Sequence, residues 1–97
     1  MIMQFVRFRS GLSEDDVLKL MEARAPQYRE LPGLLQKYYV RDNRNGGFGG
    51  IYIWKSEEAL QEFRQSELAR SIPDVFQVAG QPDVEQFDVL VVLRPER

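Results

Sequence analysis

The sequence contains no cysteine and no histidine, so any chemistry must come from other side chains. Their absence excludes disulfides, thiolate nucleophiles, Ser-His-Asp triads, haem with a His or Cys ligand, and the usual zinc sites. No loop has the ligand spacing of a calcium-binding EF-hand, and we expect no metal. The side chains that remain for catalysis are those of Asp, Glu, Lys, Arg, Tyr, Asn, Ser and Trp.

Two strand-like runs carry cationic and aromatic side chains at alternate positions, which share one face of a strand. The candidate residues are Lys37, Tyr39 and Arg41 in the first run, and Tyr52 and Trp54 in the second. In a dry site, desolvation would disfavour the charged form of a lysine, and a bound anion would favour it. The pattern indicates a pocket that could hold an anionic molecule.

A glycine-rich stretch lies between these runs, with Asn45 at its start and the pair Gly49 and Gly50 near its end. It is not a phosphate-binding loop, because no helix and no Gly-Lys-Ser/Thr sequence follows it. Hairpin and bulge geometry explains it better. The pair would also let a flat ligand approach the backbone closely.

Each candidate also has a purely structural interpretation. A strand lysine such as Lys37 is most often a surface residue whose stem lies along apolar neighbours. Tyrosine and tryptophan are favoured in strands, where they fill a core or a dimer interface. The acidic clusters 14–16 and 57–58 resemble catalytic carboxylate pairs. We expect them to lie in the first turns of helices, where the helix dipole favours negative charge. We therefore assign them no catalytic role.

The elements that must position these residues follow from hydrophobic periodicity and from Ser, Gly and Pro signals. We predict strands at 1–9, 34–41, 48–54 and 87–93, helices at 14–25 and from 57 to before Pro73, a short edge strand at 75–79 and a turn at 80–83. Pro26 ends or kinks the first helix. This order predicts an α+β, ferredoxin-like βαββαβ fold with both helices on one face of an antiparallel sheet.

The predicted strands are apolar on both faces, although helices can cover only one face of the sheet. In the second run, Ile51 and Ile53 lie opposite the face of Tyr52 and Trp54. Soluble monomers rarely expose a large apolar patch. A second copy of the same sheet, packed face to face, would cover it, so we predict a homodimer.

The composition is that of one ordinary globular domain covering residues 1–97, with a net charge of −2. This balance provides no basic surface for nucleic acid or for an anionic membrane, and we expect neither partner. Arg7 and Arg9 closely follow a brief apolar start, which is not the pattern of a signal peptide. We expect the protein to be cytoplasmic.

One set of residues is more specific than these patterns. It consists of Pro32-Gly33, Lys37, Asn45, Gly49-Gly50-Ile51-Tyr52 and Phe87-Asp88-Val89. The set resembles the YdhR-like monooxygenase family of the dimeric α/β-barrel superfamily. The resemblance implies an intertwined dimer of ferredoxin-like subunits, each with a ligand cavity between sheet and helices. We expect the loop 41–48 to differ most from relatives.

The resemblance also implies kinship to oxygenases that use neither metal nor flavin and act on electron-rich aromatic molecules. Such a substrate gives an electron to oxygen as a phenolate or enolate, while the protein holds the anion and excludes water. The expected catalytic residues are Lys37, Tyr39 and Tyr52, and the expected substrate-binding residues are Arg41, Trp54, Asn45, Gly49 and Gly50. No cofactor is expected.

Two other functions fit the same scaffold. One is a non-catalytic dimer that binds a small molecule or serves a stress response. The other is a lactone or enol isomerase, which needs a proton-shuttling tyrosine or carboxylate, with Asp88 and Glu85 as candidates.

Overall fold

The structure is a computed structural model that describes residues 1–94. Its elements in chain order are β1 (Ile2–Ser10), α1 (Glu14–Arg29), β2 (Leu34–Arg41), β3 (Phe48–Trp54), α2 (Glu57–Arg64), α3 (Glu67–Arg70), α4 (Ile72–Val75) and β4 (Val78–Asp88). The strands form one antiparallel sheet in the order β2-β3-β1-β4. The predicted α+β, ferredoxin-like fold is confirmed.

Serine side chains fix the starts of the first three helices. The hydroxyl oxygen of Ser13 accepts a hydrogen bond from the Asp16 backbone N–H at 3.2 Å, and that of Ser56 accepts one from Ala59 at the same distance. Ser66 caps α3 in the same way. Acidic residues fill the first turns of α1 and α2, where the helix dipole favours them.

Helix α1 runs past Pro26 and ends at Arg29, one turn beyond the predicted end. Proline costs the helix one backbone hydrogen bond. The additional turn buries Tyr28, whose ring centre lies 5.8 Å from that of Phe63 and 6.3 Å from that of Tyr52. This aromatic packing favours continuing the helix.

The C-terminal prediction is wrong in its boundaries. One long strand, β4, replaces the predicted edge strand at 75–79, turn at 80–83 and strand at 87–93. Pairing with β1 accounts for this result: residues 83–88 pair with Ile2–Arg7, and the Val89 backbone N–H donates to the Met1 carbonyl at 3.0 Å. Residues 80–83, which were predicted to form a turn, lie instead at an irregularity in the pairing of β4 with β1. Because β4 is an edge strand, it tolerates Pro82. Pro73 lies in the first turn of α4 instead of ending a helix.

The buried side chains of the sheet lie on the face that carries the helices. They form two clusters, one of Ile2, Tyr28, Tyr52, Trp54, Leu60 and Phe63, and one of Val17, Met21, Phe48 and Phe76. The opposite face, which we call the open face, carries none of the four helices of residues 1–94. It presents Met3, Phe5, Tyr38, Val40, Ile51, Ile53 and Phe87.

Candidate functional site

A small cavity of about 80 Å³ lies between the sheet and the helices, and residues of both core clusters line it. We call it the inner cavity. Its polar lining residues are Gln4, Arg24, Tyr28, Lys37, Tyr39 and Tyr52, with Gly49 and Gly50 in its floor. Five of these residues are among those predicted from the sequence: Lys37, Tyr39, Tyr52, Gly49 and Gly50.

The Lys37 amine lies among three tyrosine rings. Its Nζ atom is 3.3 Å from the ring centre of Tyr28, 4.4 Å from that of Tyr39 and 4.5 Å from that of Tyr52. Aromatic faces attract a cation, and the attraction grows as water is excluded. Lys37 is therefore held as part of the site and is not a surface lysine.

Burial lowers the pKa of Lys37 to about 7, and the nearby charge of Arg24 lowers it further in the same direction. Near neutral pH a substantial fraction of the amine is therefore unprotonated. A neutral amine can accept a proton, and the ammonium that forms can then stabilise an anion beside it. The geometry and the charge state suit a general base.

The two neighbouring hydroxyls stay protonated. Burial raises the pKa of Tyr39 to about 12, and it raises the pKa of Tyr52 well above its usual value. A protonated phenol donates a hydrogen bond. Tyr39 and Tyr52 can therefore donate to a bound oxygen atom while Lys37 accepts a proton.

Strand register and one glycine bring these groups together. Lys37 pairs with Tyr52, and Tyr39 pairs with Gly50, across the β2–β3 ladder. A Cβ atom at Gly50 would lie 3.1 Å from Cε1 of Tyr52 and 3.5 Å from Cε of Lys37. Gly50 thus leaves room for the Tyr52 ring and the lysine stem. At Gly49 a Cβ atom would instead meet Phe5 and Val40 on the open face.

Arg24 is a residue of the site that sequence analysis missed. Its Nη2 atom donates to the Leu68 carbonyl at 2.8 Å and to the Ser71 hydroxyl at 3.1 Å. Its Nε atom is buried and has no hydrogen-bond partner among the described residues. A signal was available, because Met21, Arg24 and Tyr28 follow helical spacing and place an arginine on the apolar stripe of α1.

Three predicted residues lie outside the inner cavity. Arg41 is exposed on β2 and donates from Nε to Oε1 of Glu14 at 2.6 Å. Trp54 is 1% exposed, and its ring stacks on Tyr52 at 5.7 Å, so no ligand can reach that face. Asn45 lies in the β2–β3 turn, where its Oδ1 accepts from the Gly47 backbone N–H at 2.8 Å.

The carboxylates suggested for an isomerase also lie elsewhere. Glu85 forms an ion pair with Arg7, and Asp88 pairs with Ile2 in the ladder that joins β4 and β1. Within the described part of the chain, no carboxylate is among the lining residues of the inner cavity. An isomerase at this site would have to use a tyrosine or the lysine.

A larger groove of about 360 Å³ adjoins the inner cavity, and we call it the outer groove. Tyr28, Lys37 and Tyr39 line both spaces and therefore form the wall between them. Arg29 and Leu35 are among the other lining residues of the groove. A molecule in the groove would therefore lie against Lys37.

Residues 1–94 contain no group of three His, Cys, Asp or Glu side chains placed to hold a metal ion. In that same part of the chain, none of the helices has both the length and the apolar character needed to cross a membrane. The cytoplasmic location stays a prediction.

Several solved structures share this fold. An antibiotic biosynthesis monooxygenase aligns with a TM-score of 0.76 and 19% identity over 94% of this chain and 100% of that chain. SnoaB of Streptomyces nogalater, a cofactor-independent oxygenase, aligns with a TM-score of 0.76 and 11% identity over 97% of each chain. A dimeric ferredoxin-like protein of unknown function from Thermobifida fusca aligns with a TM-score of 0.73 and 16% identity over 91% of this chain and 90% of that one. These low identities support the fold alone.

The family comparison is more specific. No curated protein matches the sequence. Residues 2–91 match the model of the family described as "Putative mono-oxygenase ydhR". Since that match covers nearly all of the chain, the protein belongs to the ydhR mono-oxygenase family, as the resemblance in its sequence predicted.

Proposed function

We propose that the protein is a monooxygenase that uses neither metal nor flavin and acts on a small, electron-rich aromatic molecule with an ionisable hydroxyl. One observation carries the proposal: the amine of Lys37, with its pKa lowered to about 7, lies among Tyr28, Tyr39 and Tyr52 at the wall of a cavity. Membership of a mono-oxygenase family supports the oxygen chemistry.

In the proposed mechanism, Lys37 removes the proton from the hydroxyl or enol of the substrate. The new ammonium then stabilises the phenolate or enolate, and the hydroxyls of Tyr39 and Tyr52 orient its oxygen atom. The anion is electron-rich enough to reduce molecular oxygen itself. Trp54 supports the Tyr52 ring from behind, and Gly50 leaves the space that the lysine stem occupies.

The reaction balances without an added reductant. For an anthrone-type substrate, a ring CH₂ group becomes a carbonyl. One atom of O₂ enters the product, and the other leaves as water with the two hydrogens. The substrate supplies all four electrons, and the proton taken by Lys37 returns to the oxygen that leaves.

Oxygen uptake with anthrone tests the proposal. We expect uptake of one O₂ for each anthraquinone formed, without added metal, flavin or nicotinamide, and with no loss after dialysis against a chelator. Anthrone that stabilises the protein to heat without being turned over would instead identify a binding protein. An isomerised product formed without oxygen uptake would identify an isomerase. Either result would refute the oxygenase proposal.

We also propose that the protein acts as a homodimer joined through its open face. Phe87 is 48% exposed on that face, and the segment after β4 carries Leu90 at 91% and Leu93 at 88% exposure. A second copy would cover these apolar side chains, and their burial from water favours association. The similar fold of a protein described as dimeric is consistent with this arrangement.

A further inference from the structure

The inner cavity is too small for the ring of the proposed substrate. Its volume is about 80 Å³, whereas a cavity of about 150 Å³ holds one benzene ring and water occupies about 30 Å³ per molecule in the liquid. The outer groove, at about 360 Å³, has room for an aromatic ring. A ligand at the Lys37 wall therefore places its ring in the groove and only a substituent of a few atoms in the cavity.

The inner cavity offers that substituent a cation with a free donor. The Arg24 side chain lines the cavity, and its buried Nε–H has no partner among the described residues. Its Nη2 atom is held by Leu68 and Ser71, so the guanidinium is fixed in place. A buried charged donor is costly to leave unpaired, and a carboxylate would satisfy it with a charge-assisted hydrogen bond.

The charges around both spaces also favour an anion. Among residues 1–94, the lining residues include the cations Arg24, Arg29 and Lys37 and no aspartate or glutamate. Neighbouring cations with no carboxylate between them repel each other. The positive charge of Arg24 accordingly disfavours the charged form of Lys37. A ligand with one anionic group beside its reacting hydroxyl would relieve this repulsion.

We infer that the substrate is an anthrol-type aromatic hydroxy acid: its keto form carries the ring CH₂ group that supplies the four electrons, and a carboxylate lies next to the hydroxyl that reacts. The carboxylate enters the inner cavity and accepts from Nε of Arg24, the hydroxyl meets the amine of Lys37, and the ring lies in the outer groove. Arg24 is then a specificity-determining residue. This inference rests on the proposed function, because it takes the hydroxyl at Lys37 as the reacting group.

Calorimetric titration with salicylate and with salicylamide, its uncharged analogue, tests the inference on the full chain. We expect salicylate to bind at least tenfold more tightly than salicylamide. Arg24→Gln should remove this preference, and Arg64→Gln, on the exposed surface of α2, should keep it. Equal binding of the two probes, or no binding of salicylate, would overturn the inference.

Because Arg24 also ties α1 to Leu68 and Ser71, its substitution could affect folding, so a second measurement uses the unaltered protein. In a ¹⁵N correlation spectrum, the Nε–H signal of Arg24 should move on saturation with salicylate and stay in place with salicylamide. A signal that salicylate leaves unmoved would also overturn the inference. Anthrone has no carboxylate, so its oxidation tests the oxygenase proposal separately from the role of Arg24.

Discussion

The Nζ atom of Lys37 lies 3.3 Å from the centre of the Tyr28 ring, and this contact joins the middle of β2 to the last turn of α1. The turn exists because α1 continues past Pro26. The contact lies at the boundary between the inner cavity and the outer groove. It is part of the packing that buries the amine, and burial is the main cause of the lowered pKa of Lys37.

The first prediction concerns the titration of Lys37 itself. Burial lowers its pKa to about 7, and the charge of Arg24 contributes in the same direction. Of the other groups facing the amine, Tyr39 has its pKa raised to about 12 and Tyr52 has its pKa raised well above its usual value, so neither ionises near neutral pH. The NMR shift of the Lys37 side-chain carbon Cε should therefore titrate with a midpoint near 7.

Arg24→Gln provides the matched comparison, because it removes the neighbouring positive charge and should move this midpoint to higher pH. A midpoint at about 10.4 in the unaltered protein, the value for a solvated lysine, would show that water reaches the amine. That result would contradict the proposed role of Lys37 as a base at neutral pH.

The second prediction concerns stability. The pKa of Lys37 is about 7 in the folded protein and about 10.4 in an unfolded chain. Between these values the unfolded state binds more protons, so the contribution of Lys37 to the free energy of unfolding becomes less favourable as pH falls. Below the pKa of Lys37 in the folded protein, the amine is protonated in both states, and its contribution to the free energy of unfolding no longer changes with pH.

Lys37→Met keeps an apolar stem and removes the titrating amine. Urea unfolding should show that this variant gains stability relative to the unaltered protein as pH is lowered from about 10 to about 7. A difference in unfolding free energy that does not change with pH would contradict the burial of the amine.

The third prediction concerns Gly50. In Gly50→Ala, the new methyl group would lie 3.1 Å from the Tyr52 ring and would crowd the Lys37 stem. We expect a loss of about 1 kcal/mol in unfolding free energy, at the lower end for overpacking, together with weaker binding of aromatic ligands. Thermal unfolding with and without salicylate measures both effects.

Gly11→Ala is the control, because its new methyl group would lie 3.4 Å from the nearest side-chain atom, an ordinary contact. Equal behaviour of the two variants would show that Gly50 is not needed to shape the site.

The fourth prediction concerns the open face. Phe87→Glu would place a charge on this face and should shift the protein from dimer to monomer in light scattering at micromolar concentration, because a buried unpaired carboxylate is costly. Leu18→Glu is a matched control: Leu18 is 46% exposed, close to the 48% of Phe87, but lies on α1. A monomer in the unaltered protein, or dissociation by both substitutions, would contradict the proposed interface.

Local signals predicted most of the fold. Ser13 and Ser56 mark helix starts, and the runs 34–41 and 48–54 become strands with the predicted bounds. The bounds of β4 were not predictable in this way, because they depend on its register with the distant strand β1. Non-local pairing therefore overrides the turn signals at 80–83.

In the candidate site, too, local patterns predict some features, and contacts between distant parts of the chain determine the others. Alternation along β2 and β3 correctly places Lys37, Tyr39 and Tyr52 on one face. It cannot show that Arg41 meets Glu14 on α1, because that contact depends on how the helix crosses the sheet. Arg24 was missed because arginine is usually exposed, although its place on the apolar stripe of α1 marks it.

Oxygen uptake with anthrone should distinguish the unaltered protein from Lys37→Met but not from Lys19→Met, where Lys19 is an exposed lysine of α1. A positioned base contributes about 10²- to 10⁴-fold to rate, so kcat should fall at least about 100-fold in Lys37→Met and stay unchanged in Lys19→Met. Circular dichroism should show that both variants are folded. Full activity in a folded Lys37→Met variant would contradict the account.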